Sequence, residues 1–342
     1  MRIGILGGGG ISETHARAAR QIPGVEIAAV YGRNPTKIAR LTELYGGRAY
    51  QDLSAFLNHR PMDFVIIGSP SGLHAEHGIA AARQGLHVLV EKPIDITAGR
   101  ADSLIDECAN AGVRLGVIFQ DRAAPHLLKL KQILDENRLG NPILVSASVR
   151  WYRPAEYYDG SSWRGTKSLD GGGALMNQGV HTVDLLLWLL GDVTRVFAKA
   201  ATAVHKIEVE DTIVATLEFA DGAIGTLEAA TSAYPGFPRR IAISGSEGSV
   251  VVEHNRIASL KIRDWDEETD REEGQRDPGG ASSHLVADVS GHRAIIEDFI
   301  GAIQTGAAPC CDGAEGRRSA ELVEAIYESA RTGCAVEVTI PR

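Results

Sequence analysis

A chain of 342 residues, 44% of them hydrophobic, has the material for about two domains with real cores. Its formal net charge of −9 argues against nucleic acid or an anionic membrane as the main partner. No run is long and apolar enough to span a bilayer, and Met1-Arg2-Ile3-Gly4 leads straight into a strand pattern, so a cytoplasmic protein is expected.

Arg2–Leu6 reads as a strand that ends in Gly7-Gly8-Gly9-Gly10. A helix follows, with Ala16, Ala19 and Ile22 on its apolar side. Val25–Tyr31 is a second strand, and Asp63–Ile67 a third that enters Gly68-Ser69-Pro70. A helix over 75–84, a strand over His87–Val90, a helix near Ala98–Ala111 and a short strand over Arg114–Val117 complete this part. Strands alternating with helices predict a parallel, doubly wound sheet with right-handed crossovers.

The pattern changes after about residue 122. A helix is predicted over Pro125–Glu136 and an alternating strand over Pro142–Arg150. A polar, aromatic loop over 151–170 leads to a single helix over GALMNQGVHTVDLLLWLLG. Strand-like runs then cover Val193–Ala201, Ile213–Phe219, Ile224–Ala230, Arg240–Ser244 and Ser249–Val252, divided by turns at Asp221-Gly222 and 245–248. These predict antiparallel strands of one sheet. Residues 264–283 are charged and glycine-rich, which suggests a solvated loop; two helices near 286–305 and 314–332 and a strand over Ala335–Ile340 close the chain. The expected organisation is a dinucleotide-binding domain over 1–121 and an α+β domain over 122–342, with the last helices free to pack back on the first domain.

Gly7-x-Gly9-x-x-Ser12 follows a strand and opens a helix. Glycines there let the backbone turn tightly and approach a pyrophosphate, and the helix N-terminus offers N–H groups and partial positive charge. An acid at the end of the second strand would hold the ribose of NAD; here stands Tyr31-Gly32-Arg33-Asn34, and Arg33 suits a 2′-phosphate, which favours NADP over NAD. Glu91-Lys92-Pro93 lies at the carboxyl end of a strand, where open α/β sheets bind their ligands, and Lys92 can donate to a substrate hydroxyl. These features give Gly7, Gly9, Gly10, Ile11, Ser12, Gly32, Arg33, Ser69, Pro70, His74, Glu91 and Lys92 as candidate cofactor contacts. His74 also fits a helix cap, and Arg33 a solvated turn.

Asn177, His181 and Asp184 interrupt a strongly apolar helix at spacings of four and three, which predicts one polar face. Oxidation of an alcohol removes a hydride and a proton, and His181 suits the proton. Asp184 is expected either to orient the imidazole or to serve structure only. Lys92, His181, Asn177 and Asp184 are therefore the candidate catalytic residues. Arg122, Trp151, Arg153, Tyr158, Trp163 and Arg164 are the candidate substrate contacts, since aromatic faces stack on sugars and arginine forks bind anions; a packed loop or a subunit interface fits the aromatic segment equally well. The histidines show no metal-ligand spacing, so no metal is expected, and the four cysteines read as free thiols.

The segments GILGGGGIS, VIIGSPSGLHAEHGIAAARQGLHVLVEKP, VIFQDRAAPHLLKLK, GGGALMNQGVHTVDLLLWLLG and GAEGRRSAELVEAIYESARTG, in this order, resemble the glucose-fructose oxidoreductase, inositol dehydrogenase and rhizopine-catabolism (Gfo/Idh/MocA) family over nearly the whole chain. The resemblance implies a Rossmann domain and a second domain with a large, mostly antiparallel sheet that packs face to face in homodimers or homotetramers. It implies an NAD(P)-dependent dehydrogenase of a sugar or polyol, with Lys92 and His181 as the family lysine and histidine. The family often carries aspartate where this chain has Asn177, and an amide cannot take a proton. Alternatives within the resemblance are a UDP-sugar 3-dehydrogenase, a glycoside hydrolase that recycles its NAD, and a non-catalytic dinucleotide-binding protein.

Overall fold

The computed structural model describes residues 1–264 and 288–339. It divides into two compact units, Met1–Gln120 with Val286–Ala320 and Asp121–Leu285 with Glu321–Arg342. The stretch expected to be a charged loop, 264–283, lies outside the described residues from position 265 onward.

The first unit begins β1 (Arg2–Leu6), α1 (Gly10–Ala19), β2 (Glu26–Tyr31), α2 (Pro35–Tyr45), β3 (Arg48–Tyr50) and α3 (Leu53–Leu57). It continues β4 (Phe64–Ile67), α4 (His74–Ala82), β5 (His87–Glu91), α5 (Ala98–Asn110) and β6 (Leu115–Ile118). All pairs are parallel, and the order is β3-β2-β1-β4-β5-β6 among the described residues. The chain reverses its direction of travel between β1 and β4, the switch point where such sheets open a crevice. Phe64, Val65, Ile66 and Ile67 are fully buried, as a strand covered by helices on both faces requires. The elements α2, β3 and α3 are additions to the expected pattern. Their hydrophobic signal is weak, since α2 buries only Ile38 and Leu41 and β3 is largely exposed. The legible sign was the cap: Asn34 accepts Lys37 N–H at 3.1 Å, and Pro35 follows it at the first helical position.

The second unit contains α6 (Pro125–Asp135), β7 (Pro142–Arg150), α7 (Ala155–Asp159), a π-helical turn (Ala174–Gly179) and α8 (Val180–Leu190). The strands β8 (Val193–Ala201), β9 (Thr212–Phe219), β10 (Ile224–Ala230), β11 (Arg240–Gly245), β12 (Gly248–Glu253) and β13 (Arg256–Ile262) follow. The sheet order is β13-β12-β11-β7-β10-β9-β8, with one parallel pair, β7 with β10. Alternation along the strands turns Val145, Ala147, Val149, Ala215, Leu217, Ile241 and Ile243 into the core, where Leu127, Leu130, Val183 and Leu186 of α6 and α8 also lie. The opposite face is solvated.

The remaining elements are α9 (Ser290–Thr305), α10 (Gly313–Thr332) and β14 (Val336–Glu337), which joins the large sheet beside β8. The strand expected over Ala335–Ile340 is thus shorter within the described residues. In the first unit, Phe299 of α9 meets Phe64 of β4 edge to face at 5.4 Å, and a Cβ on Gly116 would stand 2.8 Å from the Phe299 ring. The bare glycine makes room for that ring. Phe299→Ala should cost about 3–5 kcal/mol of stability in denaturant titration; a loss under about 1 kcal/mol would mean the site collapses around the gap.

Candidate active site

At the end of β1, Gly7 has φ +142°, and a Cβ there would lie 2.7 Å from the Gly68 carbonyl oxygen after β4. Glycine alone permits the two turns to approach so closely. Gly9 precedes α1 without a side-chain cap, and a Cβ on Gly9 or Gly10 would meet nothing within 4 Å. Ile11 is half-buried, and Ser12 is fully buried with its Oγ lacking any partner. Uncapped N–H groups, open space and an orphaned hydroxyl are what a pyrophosphate fits. Gly32 is buried against Ile38, and Arg33 is exposed just beyond β2.

Two expected cofactor contacts are held inside the unit. His74 is buried at the start of α4, with Nδ1 2.7 Å from the Pro93 carbonyl and Nε2 2.9 Å from the Ser69 carbonyl. Burial pushes its pKa down against the pull of those two acceptors. It clamps the turns that follow β4 and β5 and thereby places Ser69, Pro70 and the cis Lys92–Pro93 bond. Glu91 is buried too: its Oε1 lies 2.8 Å from His15 Nε2 and 3.8 Å from His292 Nε2, and its Oε2 accepts the Lys92 N–H at 3.1 Å. Burial raises the Glu91 pKa, but the hydrogen bond and charge of His15, with His292 and Lys92, prevail and hold it at about 2. His15, Glu91 and His292 have donor atoms within 4.8 Å of one another, a set able to hold a divalent ion. Sequence spacing concealed it, because α1, β5 and α9 supply one member each. Lys92 is half-buried at the strand tip.

In the second unit the expected single helix is two pieces. The Glu210 carboxylate accepts Gly173 N–H at 2.9 Å and Leu175 N–H at 2.8 Å, and Tyr327 Oη accepts Met176 N–H at 3.1 Å while donating to Glu210 at 3.0 Å. These remote acceptors take the opening N–H groups, and the first turn widens to a π-helix before α8 begins. The α-helical spacing argument does not extend across that junction, and the polar residues have separate partners. Asn177 donates to Asp170 Oδ1 at 2.6 Å. Asp184 is fully buried and takes a two-pronged bond from Arg122, at 2.9 and 2.7 Å. Both members of this pair are buried, so each has its counter-charge within the unit.

The acid facing His181 is Asp121, whose Oδ2 lies 3.7 Å from Nδ1. Asp121 also accepts from Arg239 at 2.6 Å and from Asn255 at 2.8 Å. Burial raises its pKa, yet Arg239 and His181 overcome that and drive it far below the usual carboxylate range. Sixty residues separate Asp121 from His181, so no local pattern could have paired them.

The aromatic loop is packed. Arg153 is buried, stacks on Trp151 and Tyr157 at 5.2 and 5.6 Å, and donates to Gln178 at 3.1 Å. Tyr158 is buried and donates to Thr231 at 2.8 Å. Arg164 stacks on Tyr157 at 4.2 Å and on Trp163 at 5.5 Å; both Trp163 and Arg164 stay half-buried. These two, with Trp151, keep more access to solvent than the buried Arg153 and Tyr158. All four cysteines are free thiols.

Residues 1–119 match the family model described as the oxidoreductase family with an NAD-binding Rossmann fold, and residues 127–251 match the GFO/IDH/MocA C-terminal domain. The chain belongs to the Gfo/Idh/MocA oxidoreductase family. Among solved members, the WlbA dehydrogenase of Bordetella pertussis, in complex with NADH and UDP-GlcNAcA, is 34% identical with a TM-score of 0.90, covering 100% of this chain and 98% of its own. Myo-inositol 2-dehydrogenase of Thermotoga maritima is 26% identical, covering 96% of each chain. D-xylose 1-dehydrogenase (NADP(+)) 2 of Haloferax volcanii is 28% identical over 99% of this chain and 100% of its own. This Gfo/Idh/MocA member is thus an oxidoreductase with an NAD-binding Rossmann unit, and among its described residues no helix is long and apolar enough to cross a membrane.

Both acid pairings can be tested. Asp184→Ala takes the two-pronged carboxylate away from buried Arg122 and should cost about 3–5 kcal/mol, whereas Asp184→Leu with Arg122→Met should lose far less; equal losses in denaturant titration would overturn the pairing. Glu91 is depressed from 4.5 to about 2, so its stabilisation is complete above pH 4.5 and disappears as pH falls toward 2. Glu91→Gln should therefore flatten the fall in urea midpoint between about pH 5 and 3; an unchanged slope would place the acid sensitivity elsewhere.

Proposed function

We propose that the protein oxidises a hydroxyl of a sugar-like substrate to a ketone, with Lys92 hydrogen-bonded to the reacting oxygen and His181 taking its proton. The bound dinucleotide supplies the hydride acceptor. Gly7, Gly9, Gly10 and Ser12 are assigned to its pyrophosphate, Gly32 and Arg33 to its ribose end, and the turn of Ser69 and Pro70 to its far half. The observation that carries this reading is the Asp121–His181 pair: a carboxylate kept ionised 3.7 Å from the imidazole favours the imidazolium that a general base becomes. Asn177 positions a neighbouring hydroxyl, and Trp163 and Arg164 meet the rest of the substrate.

The finer substrate reading is a sugar nucleotide, supported by 34% identity across the chain to a dehydrogenase solved with UDP-GlcNAcA. The finer cofactor reading is NADP, supported by the exposed Arg33 and the absence of an acid in Tyr31-Gly32-Arg33-Asn34. A homo-oligomer through the large sheet is supported by Leu144, Val214 and Ile224, each 47–58% exposed on its outer face.

A panel of free sugars, polyols and sugar nucleotides, followed by reduced-nicotinamide absorbance with either cofactor, should show turnover. Lys92→Ala and His181→Ala should each cost roughly 10²–10⁴-fold in kcat/KM. Wild-type rates in both would refute the assignment. Arg33→Ala should raise KM for NADP while sparing KM for NAD; an equal effect on both would leave Arg33 without a role in cofactor choice.

A further inference from the structure

Four side chains of the second unit form one continuous line of hydrogen bonds. Asn177 Nδ2 donates to Asp170 Oδ1 at 2.6 Å, Gln178 Nε2 donates to Asn177 Oδ1 at 3.0 Å, and Arg153 Nη2 donates to Gln178 Oε1 at 3.1 Å. Gln178 Nε2 also donates to Tyr157 Oη at 3.1 Å. Asp170 is 1% exposed, and its Oδ2 is held by the Gly165 N–H at 2.8 Å. Asp170, Asn177, Gln178, Tyr157, Gly173 and Thr231 line one narrow crevice, too tight to hold a water.

The two ends of this line are chemically one-way. An ionised carboxylate can only accept, and a guanidinium can only donate. Either amide could be turned over without changing its shape, but the ends permit only one direction for both. Asp170 and Arg153 are buried, while Asn177 and Gln178 are half-buried. A ligand in reach of this wall therefore touches the amides and not the charged ends.

We infer that Asp170 is a positioning residue for the substrate, fixing the Asn177 amide so that position 177 offers an N–H to a substrate hydroxyl that accepts. This rests on the reading of the protein as a sugar dehydrogenase. It also accounts for the amide at position 177: a carboxylate there would face Asp170 across 2.6 Å, and two carboxylates so close cannot both ionise.

The test is a pair of variants assayed for kcat, KM and melting temperature. Asp170→Asn turns the acceptor end of the line into a side chain that must present Nδ2 to Asn177 if it keeps its bond from Gly165. The amides must then reverse, and the reversal meets Arg153, which has no acceptor to offer. We expect kcat/KM to fall about 10–100-fold, mainly through KM, with a lower melting temperature. Combining Asp170→Asn with Asn177→Asp restores a donor facing an acceptor and removes the clash, but leaves position 177 without a donor. The double variant should regain the wild-type melting temperature and not the wild-type KM. Recovery of both together would show a purely structural pair and overturn the inference. So would Asp170→Asn with wild-type kcat/KM. If that single variant does not fold, the double variant alone decides by the same criterion. Wild-type protein that oxidises no member of the sugar panel would overturn the underlying reading and the inference with it, an outcome distinct from an active wild type whose variants are unaffected.

Discussion

A carboxylate taken out of water must collect donors or cations, and that requirement arranges the functional groups of this protein. Glu91, Asp121, Asp184 and Glu210 are all buried. Each solves the same electrostatic problem, and each solution places something. Glu91 gathers His15 and His292 and holds the Lys92 backbone. Asp121 gathers Arg239 and Asn255 and faces His181. Asp184 consumes Arg122. Glu210 takes the free N–H groups at the start of the π-helical turn.

For Glu91, Asp121 and Glu210 the direction of the pKa follows from the donors each acid finds. Glu91 and Asp121 have charged or chargeable neighbours and sit below the ordinary carboxylate range. Glu210 has two backbone N–H groups and a phenol, which do not offset its burial, and its pKa is raised. A carboxylate that caps a helical turn with neutral donors is thus easier to protonate than Glu91 or Asp121. The π-helical turn is built on that group, and such turns occur frequently at functional sites.

The same logic separates half-buried candidate groups from the buried acids beside them. Lys92, His181 and Asn177 are half-buried, and Glu91, Asp121 and Asp170, which bond or face them, are buried. Aromatic stacking does this for the loop of the second unit: Arg153 sits against Trp151 and Tyr157, and Arg164 against Tyr157 and Trp163. Aromatic residues that read as a sugar platform serve partly as a frame for two cations.

Local chemistry alone was enough to read the parallel sheet, the glycine turn, the strand tip at Lys92 and the alternating strands of the second sheet. Those depend on period, on φ and on which residues can end a strand, all of which act over a few positions. The sheet's β13 and the α2–α3 segment were missed because their apolar signal is thin. Pairings were beyond its reach. Asp184 follows His181 by three residues, and the sequence left open whether it orients the imidazole or serves structure; in the fold it pairs with Arg122, and Asp121 faces the imidazole from sixty positions away. His15, Glu91 and His292 meet only because a helix, a strand and a distant helix pack together. The type of each group was written in the chain; its counter-charge was decided by tertiary structure, because Coulomb attraction and desolvation depend on distance through space and not on distance along the backbone.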